Sequence, residues 1–409
     1  MKLVAATYGT EGDSRPIAAL CRALIDAGDE VTLLADGGTL NTARELGVPN
    51  AALAGDIREA LRSGDGTASV PKQNSVDATA KILARLANEN ADAWMRQILE
   101  AAAGCDALIM GGLAANIGFS AAEKSGIPAI AVGMIPLTPT AAFPSPFLPP
   151  RPMPRFLNRV SYRLVSAALW RAFRDSTNSA RRAVGLPPGH QIPADQPILY
   201  GISPTLLPQP KDWPAGAHMC GQWVRPVYEW DPPGALREFL SEGDAPIYVG
   251  FGSMAGLDHG ALLDVVVEAV GGRRALLNPG WGVNERLELP PNFCVIGGTP
   301  HDWLFPRTSV VVHHGGSGTT HSATRAGVPS VVVPFAADQF FWARQLRRLG
   351  VAPRNAGARR VRASELSDAI TAAQSARMRQ RASELGAAMR AEDGLATAVE
   401  KIHATLASG

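Results

Sequence analysis

The sequence predicts an α/β protein made of two doubly wound domains. Three observations carry that expectation. Short, continuously apolar runs alternate with segments of helical periodicity along the chain, as parallel strands covered on both faces by helices require. DALIMGGLAANIGFSAAEKSGIPAIAV at 106–132 and TSVVVHHGGSGTTHSATRAGVPSVVV at 308–333 share one plan: strand, Gly-Gly turn, helix, Gly-apolar-Pro stop, strand. Any two βαβ units look alike, but one in each half suits a domain in each half. Between the halves, Pro204, Pro208, Pro210, Pro214, Pro226, Pro232 and Pro233 exclude a regular helix and read as a linker.

The elements follow in order. LVAAT, VTLLA, ALIM and AIAV read as buried strands of the first half; IYVGF, RALLN, FCVIG, SVVVH and SVVVP read as those of the second. The expected domains are residues 1–207 and 235–390, joined by 208–234. A C-terminal helix, 391–409, is expected to pack back on the first domain. A second proline cluster, IPLTPTAAFPSPFLPPRPMP at 135–154, makes a long irregular loop inside the first half, and such loops are often functional.

Composition narrows the function. The 409 residues suit two cored domains. A net charge of +2 excludes a general polyanion binder. Cys21, Cys105, Cys220 and Cys294 are scattered with no CxxC pair, so no metal site is expected and reduced thiols in a cytoplasmic protein are. The chain runs directly into a strand-like segment without a signal-peptide pattern, and no apolar run is long enough to span a bilayer. Arg151, Arg155, Arg159 and Arg163 recur every fourth position ahead of Trp170 and Phe173. From Arg155 onward they form either a basic amphipathic face for anionic lipid or a solvated face. Oligomeric state is left open.

The chemistry concentrates at strand ends. In VVHHGGSGTTHSATRAGVP a buried strand ends at His313, and Gly315, Gly316 and Gly318 leave the backbone bare beside Ser317 and Thr319. Backbone N–H groups at the start of the next helix point outward and attract anions. The turn reads as a phosphate cradle, with His313 as a side-chain donor, although a tight turn with an N-capping serine has the same letters. It matches neither the GxGxxG fingerprint nor the P-loop. Asp338 and Gln339 open a helix after the following strand. They offer acceptors for the vicinal hydroxyls of a sugar, or Asp338 caps the helix. FGSM at 251–254 places Ser253 at another strand end. His301 and Trp303 stand at a further one, where the indole stacks on a nucleobase or packs in the core. In YGTEGDSRP at 8–16, Asp13 follows a glycine turn, either as a helix cap or as a functional carboxylate.

Together these segments resemble the family 1 glycosyltransferases, in the branch of sterol-type and glycopeptide-antibiotic enzymes. HDWLFPRTSVVVHHGGSGTTHSATRAGVPSVVVPFAADQFFWA is similar to that branch's donor-binding signature nearly throughout, FLNRVSYRLVSAALWRAFR to its middle segment, and YGTEGDSRPIAAL to its Gly-Ser-Arg-Gly-Asp-x-x-Pro opening. Thr10 and Glu11 depart from the last. The resemblance implies the GT-B fold, with two Rossmann-like domains facing a cleft. It implies that His313, Gly316, Ser317, Gly318, Thr319 and Ser253 hold the donor diphosphate, and that Asp338 and Gln339 hold the donor sugar. His301 and Trp303 would lie by the base, and Asp13 would act as general base. The reaction implied is inverting and needs no metal or other cofactor. It would move a sugar from a UDP- or dTDP-linked donor to a hydroxyl of an apolar acceptor, such as a natural-product aglycone, sterol or lipid. Phe143, Phe147 and Met153 in the proline-rich loop are expected to border the acceptor. The same fold also serves nucleotide-sugar 2-epimerases and could serve a catalytically silent nucleotide-sugar-binding protein.

Overall fold

The computed structural model describes residues 1–63, 75–148, 153–192, 196–225, 230–252, 259–280, 288–354 and 361–407. Ser253 and Arg151 lie outside them. Two parallel sheets organise the chain. The first holds β1 (Lys2–Tyr8), β2 (Glu30–Asp36), β3 (Asn50–Leu53), β4 (Ala107–Gly112), β5 (Ala129–Gly133), β6 (Ile198–Tyr200) and β7 (Ala217–Met219), in the order β3-β2-β1-β4-β5-β6-β7. The second holds β8 (Ile247–Gly250), β9 (Ala275–Asn278), β10 (Phe293–Val295), β11 (Val310–His313) and β12 (Ser330–Val332), in the order β10-β9-β8-β11-β12.

Each sheet reverses its winding once, between β1 and β4 and between β8 and β11. Tyr8 lies opposite Gly112 at the first reversal, and Gly250 opposite His313 at the second. In open parallel sheets the crevice beyond the strand ends at such a reversal is where ligands bind. Both reversals carry the stretches that the sequence singles out.

Burial follows the pleat. Leu3 and Ala5 of β1 enter one core, and Val4, Ala6 and Tyr8 enter the core on the opposite face. In β8, Ile247 and Val249 face one core and Tyr248 the other. A further apolar cluster joins the halves. Tyr200, Ile202, Leu206 and Trp213 pack there with Val332, Trp342, Leu346 and Met389.

The proline-rich stretch at 208–234 differs from the linker expected of it. It contains β7, which adds the seventh strand to the first sheet, and it buries Trp213, Cys220 and Trp223. Proline forbids helix here but leaves a short edge strand possible. The helix Gly394–Ala407 places Ala398 and Ile402 in the first sheet's core, beside residues of the helix Glu11–Asp26. No helix among the described residues is long and apolar enough to cross a membrane.

Candidate active site

At the first reversal, β1 gives way to Gly9 and the helix Glu11–Asp26, with Thr10 as N-cap. Asp13 Oδ2 accepts from the Thr10 N–H at 2.9 Å and from the Thr10 hydroxyl at 3.3 Å. This is the reciprocal half of a capping box. The cap satisfies helix-end donors and fixes the carboxylate in one move. It also explains Gly9, because a Cβ there would stand 2.3 Å from Asp13 Oδ2. Burial pushes the Asp13 carboxyl up, against the opposing pull of the Thr10 bonds. Glu11, which departs from the family opening, has a local role. It pairs with Arg58 at 3.0 Å and with Arg15 one turn on, and it sits where the helix dipole favours an acid.

At the second reversal, His313 closes β11 and is fully buried. Its Nδ1 accepts the Gly315 N–H at 3.1 Å. Burial drives its pKa well below the ordinary histidine value, so the ring is neutral and its proton must sit on Nε2. That Nε2 is buried without a partner among the described residues. An orphaned donor at a ligand crevice is what an anionic oxygen would satisfy.

Gly315 has φ +94, and a Cβ there would strike Val332 and the backbone of Gln339. The turn delivers the chain into the helix Ser317–Ala326 with Gly316 as its N-cap. The first intrahelical bond runs from the Thr320 N–H to the Gly316 carbonyl. The N–H groups of Ser317, Gly318 and Thr319 therefore stand at the open helix end. The Ser317 hydroxyl, in contrast, donates to the Met134 carbonyl at 2.7 Å, across to the first domain.

His321, one turn further on, was not singled out by the sequence. It donates through Nδ1 to the Ser317 carbonyl at 2.8 Å and accepts the Ser203 N–H on Nε2 at 3.2 Å. Burial lowers its pKa to about 4, so this bridge between the halves is a neutral one. Its signal in the sequence is its i,i+4 spacing from Ser317.

Asp338 lies beyond β12, just after Ala337, whose φ of +47 is the one positive value outside glycine among the described residues. The Trp342 indole donates to Asp338 Oδ2 at 3.0 Å. Burial, assisted by the negative charge of Asp13, pushes the Asp338 carboxyl up to about 7. The two carboxyls thus feel each other across the halves. Gln339 is used differently from the expectation. Its Oε1 accepts the N–H groups of Phe335 and Ala336 at 2.7 and 2.9 Å, which occupies both lone pairs of that oxygen. The amide carbonyl holds the turn that presents Asp338 and cannot also accept a sugar hydroxyl.

His301 stacks on Phe305 with 4.3 Å between centroids. Burial lowers its pKa to about 3, helped by the charge of Arg15 from the first domain and by His314. Trp303 meets Trp230 edge-on at 4.9 Å and lies under the Arg307 guanidinium at 4.2 Å, so its ring belongs to the second domain's packing. In the proline-rich loop, Phe143 meets Phe341 of the second domain at 5.2 Å, which commits one face of the ring to the junction. Phe147 and Met153 are half-buried. The loop is anchored by Asp212, which accepts from the Thr140 hydroxyl, the Ala141 N–H and Arg159. Burial raises the Asp212 carboxyl, but these donors outweigh it and bring it down to about 2.

A family model described as "Erythromycin biosynthesis protein CIII-like, C-terminal domain" matches residues 282–404. A sterol 3-beta-glucosyltransferase of Emericella nidulans is 33% identical over 99% of the chain, which spans 30% of that relative's length. The glycotransferase of kitacinnamycin superposes with a TM-score of 0.72 at 21% identity, over 99% of both chains. The glycosyltransferase VinC, solved with dTDP, superposes at 0.68 and 18% identity over the whole of both. The fold is GT-B.

Proposed function

We propose that this chain, a family 1 glycosyltransferase by sequence and fold, moves a sugar from a nucleotide diphosphate sugar to a hydroxyl of an apolar small molecule. The observation that carries the reading is the meeting of opposed chemistries at the two sheet reversals. A carboxylate of raised pKa stands on one side, and an unpartnered buried donor with an open helix end stands on the other.

In this reading the donor's diphosphate lies against the N–H groups of Ser317, Gly318 and Thr319 and accepts from His313 Nε2. As the sugar–phosphate bond breaks, charge grows on the leaving oxygen. Donors already in place stabilise it without reorganisation. Asp338 takes sugar hydroxyls, and as an acid near neutral pH it both donates and accepts. Asp13 lies across the cleft and receives the acceptor's proton late, as the new C–O bond forms, because a carboxylate is too weak a base to ionise an alcohol beforehand. Attack from the face opposite the leaving group inverts the anomeric centre. Helix end and imidazole supply the positive poles, so the reading assigns no metal. The free thiols suit a cytoplasmic setting. Sterol and natural-product names among the comparisons support an apolar acceptor; a sterol or polyketide aglycone fits equally, with UDP or dTDP in the donor.

The test is turnover of labelled UDP- and dTDP-sugars against a panel of apolar alcohols, with the product anomer read by NMR. A glycosylated acceptor of inverted configuration supports the proposal. Release of epimerised nucleotide sugar alone would make the chain a 2-epimerase. Nucleotide binding without any turnover would make it a silent binding protein.

A further inference from the structure

We propose that the outer face of the helix Asn158–Ala183, with Phe156 just before it, docks on an anionic lipid bilayer. The inner face of this helix is accounted for. Asn158, Ser161, Tyr162, Thr177, Ala180 and Arg181 are buried, and Arg181 forks onto Glu123 at 2.7 and 3.0 Å. The outer face has no such explanation. Phe156 is 78% exposed and Leu164 65%, with Val160 between them. Of seven large apolar residues exposed among the described residues, four lie between Phe156 and Leu169. Within the helix, Val160, Leu164, Ala167 and Ala168 fall on one side at three- and four-residue spacing, and Arg163, Arg171 and Arg174 fall among them.

A solvated face would explain the arginines but not Phe156 and Leu164 beside them. The charge selects the occupant. From Met153 to Arg174 there are five arginines and no acidic residue. Arg159 is spent on Asp212 and Arg174 pairs with the exposed Asp175. Arg155, Arg163 and Arg171 have no acidic partner among the described residues. Exposed apolar side chains flanked by cations of one sign are the signature of a helix lying in the headgroup layer. Docking there would bring the proline-rich loop to the bilayer as well. The Asn158 amide donates to the Ala141 carbonyl at 2.8 Å, and the Ser145 N–H donates to the Ser161 hydroxyl at 2.8 Å. The inference rests on this helix alone and is independent of the transfer reaction.

The experiment is sedimentation of the full chain with sucrose-loaded vesicles. One set is phosphatidylcholine and the other contains roughly one-third phosphatidylserine. The parent should bind the anionic vesicles preferentially and release them as salt rises. Arg163→Gln with Arg171→Gln should lower partitioning by roughly twenty-five-fold, at about fivefold per arginine. Phe156→Ser with Leu164→Ser should lower it at least about tenfold. Both pairs are exposed, so melting temperatures should stay at the parent's. Equal binding to both vesicle types, or double variants that bind like the parent, would overturn the proposal. So would a dimer seen by light scattering and lost only in Phe156→Ser with Leu164→Ser, without vesicle binding, which would give the face to a second copy of the chain. Capture of an acidic protein without vesicle binding would overturn it too.

Discussion

The Ser317 hydroxyl donates to the Met134 carbonyl at 2.7 Å, so the first residue of the second domain's site helix is tied to the chain leaving β5 in the first domain. The hydroxyl serves the junction, and the Ser317 N–H serves the site. Ser317→Ala separates the two. It should weaken the domain contact by about 1 kcal/mol, visible as a lower unfolding midpoint. Calorimetric affinity for UDP or dTDP should stay within about threefold, since alanine keeps the N–H. A far larger loss of nucleotide affinity would mean that the hydroxyl itself holds phosphate.

His313 makes a sharper demand. Its Nδ1 is occupied by the Gly315 N–H, and Nε2–H has no partner among the described residues. If that proton meets the diphosphate, His313→Ala should weaken donor binding by about tenfold to a hundredfold, the worth of a hydrogen bond to a charged group. The ring stays neutral because burial holds its pKa well below the usual value. In an Asp338→Asn background, which removes the carboxyl that titrates near 7 beside the sugar, affinity for an intact nucleotide sugar should therefore be flat from pH 6 to 8, about where an ordinary histidine titrates. A histidine-like step in that range would refute the neutral donor.

Much of this was legible in the sequence. All nine strands expected from apolar runs are present, because buried parallel strands carry a continuous signal. The three that were missed, β3, β6 and β7, have three or four residues and lie toward the sheet's edges. β10 and β12 are as short and also at edges, but they sit in the longer valine-bearing runs FCVIG and SVVVP, whereas NAAL and AHM are built on alanine and ILY is cut off by Pro197 and Gly201. The turns at Asp13 and His313 stood out because glycines bare the backbone. What spacing could not reveal was the partner of each group. Thr10 holding Asp13, Trp342 holding Asp338 and Gln339 bonding backward to its own turn join residues three or four positions apart, where spacing permits a pairing without selecting it; His321 reaching Ser203 crosses 118 positions and leaves no local trace. Glu11 became intelligible only once Arg58, far along the chain, was seen beside it.

Asp13 can be tested without disturbing its cap. Asp13→Asn keeps an oxygen for the Thr10 N–H, so the fold should hold while the proton acceptor is lost. Sugar transfer should fall by roughly a hundredfold to ten-thousandfold, with little change in melting temperature. Asp13→Ala should lose as much rate and also about 1 kcal/mol of stability, the cost of a missing cap. In the parent, kcat/KM should decline as pH falls through a carboxyl pKa raised by burial. Transfer by Asp13→Asn at the parent's rate would remove Asp13 from the reaction.

Asp338 links the site to stability. Its folded pKa is about 7, against an ordinary 3.8. Between those values the folded chain holds a proton that the unfolded chain has released. Stability from this group is therefore present at low pH and lost as pH rises through that window. Asp338→Asn keeps an acceptor for Trp342 and removes the buried charge. At pH 8 it should unfold at higher urea than the parent, by on the order of 1 kcal/mol once partial contact with water is allowed for. Below about pH 4, where both states of the parent are protonated, the two should converge. Transfer should still fall, since the amide cannot alternate between donor and acceptor as the acid does. Equal destabilisation of Asp338→Asn at both pH values would show that the carboxyl is there for packing, and that its raised pKa has no bearing on folding.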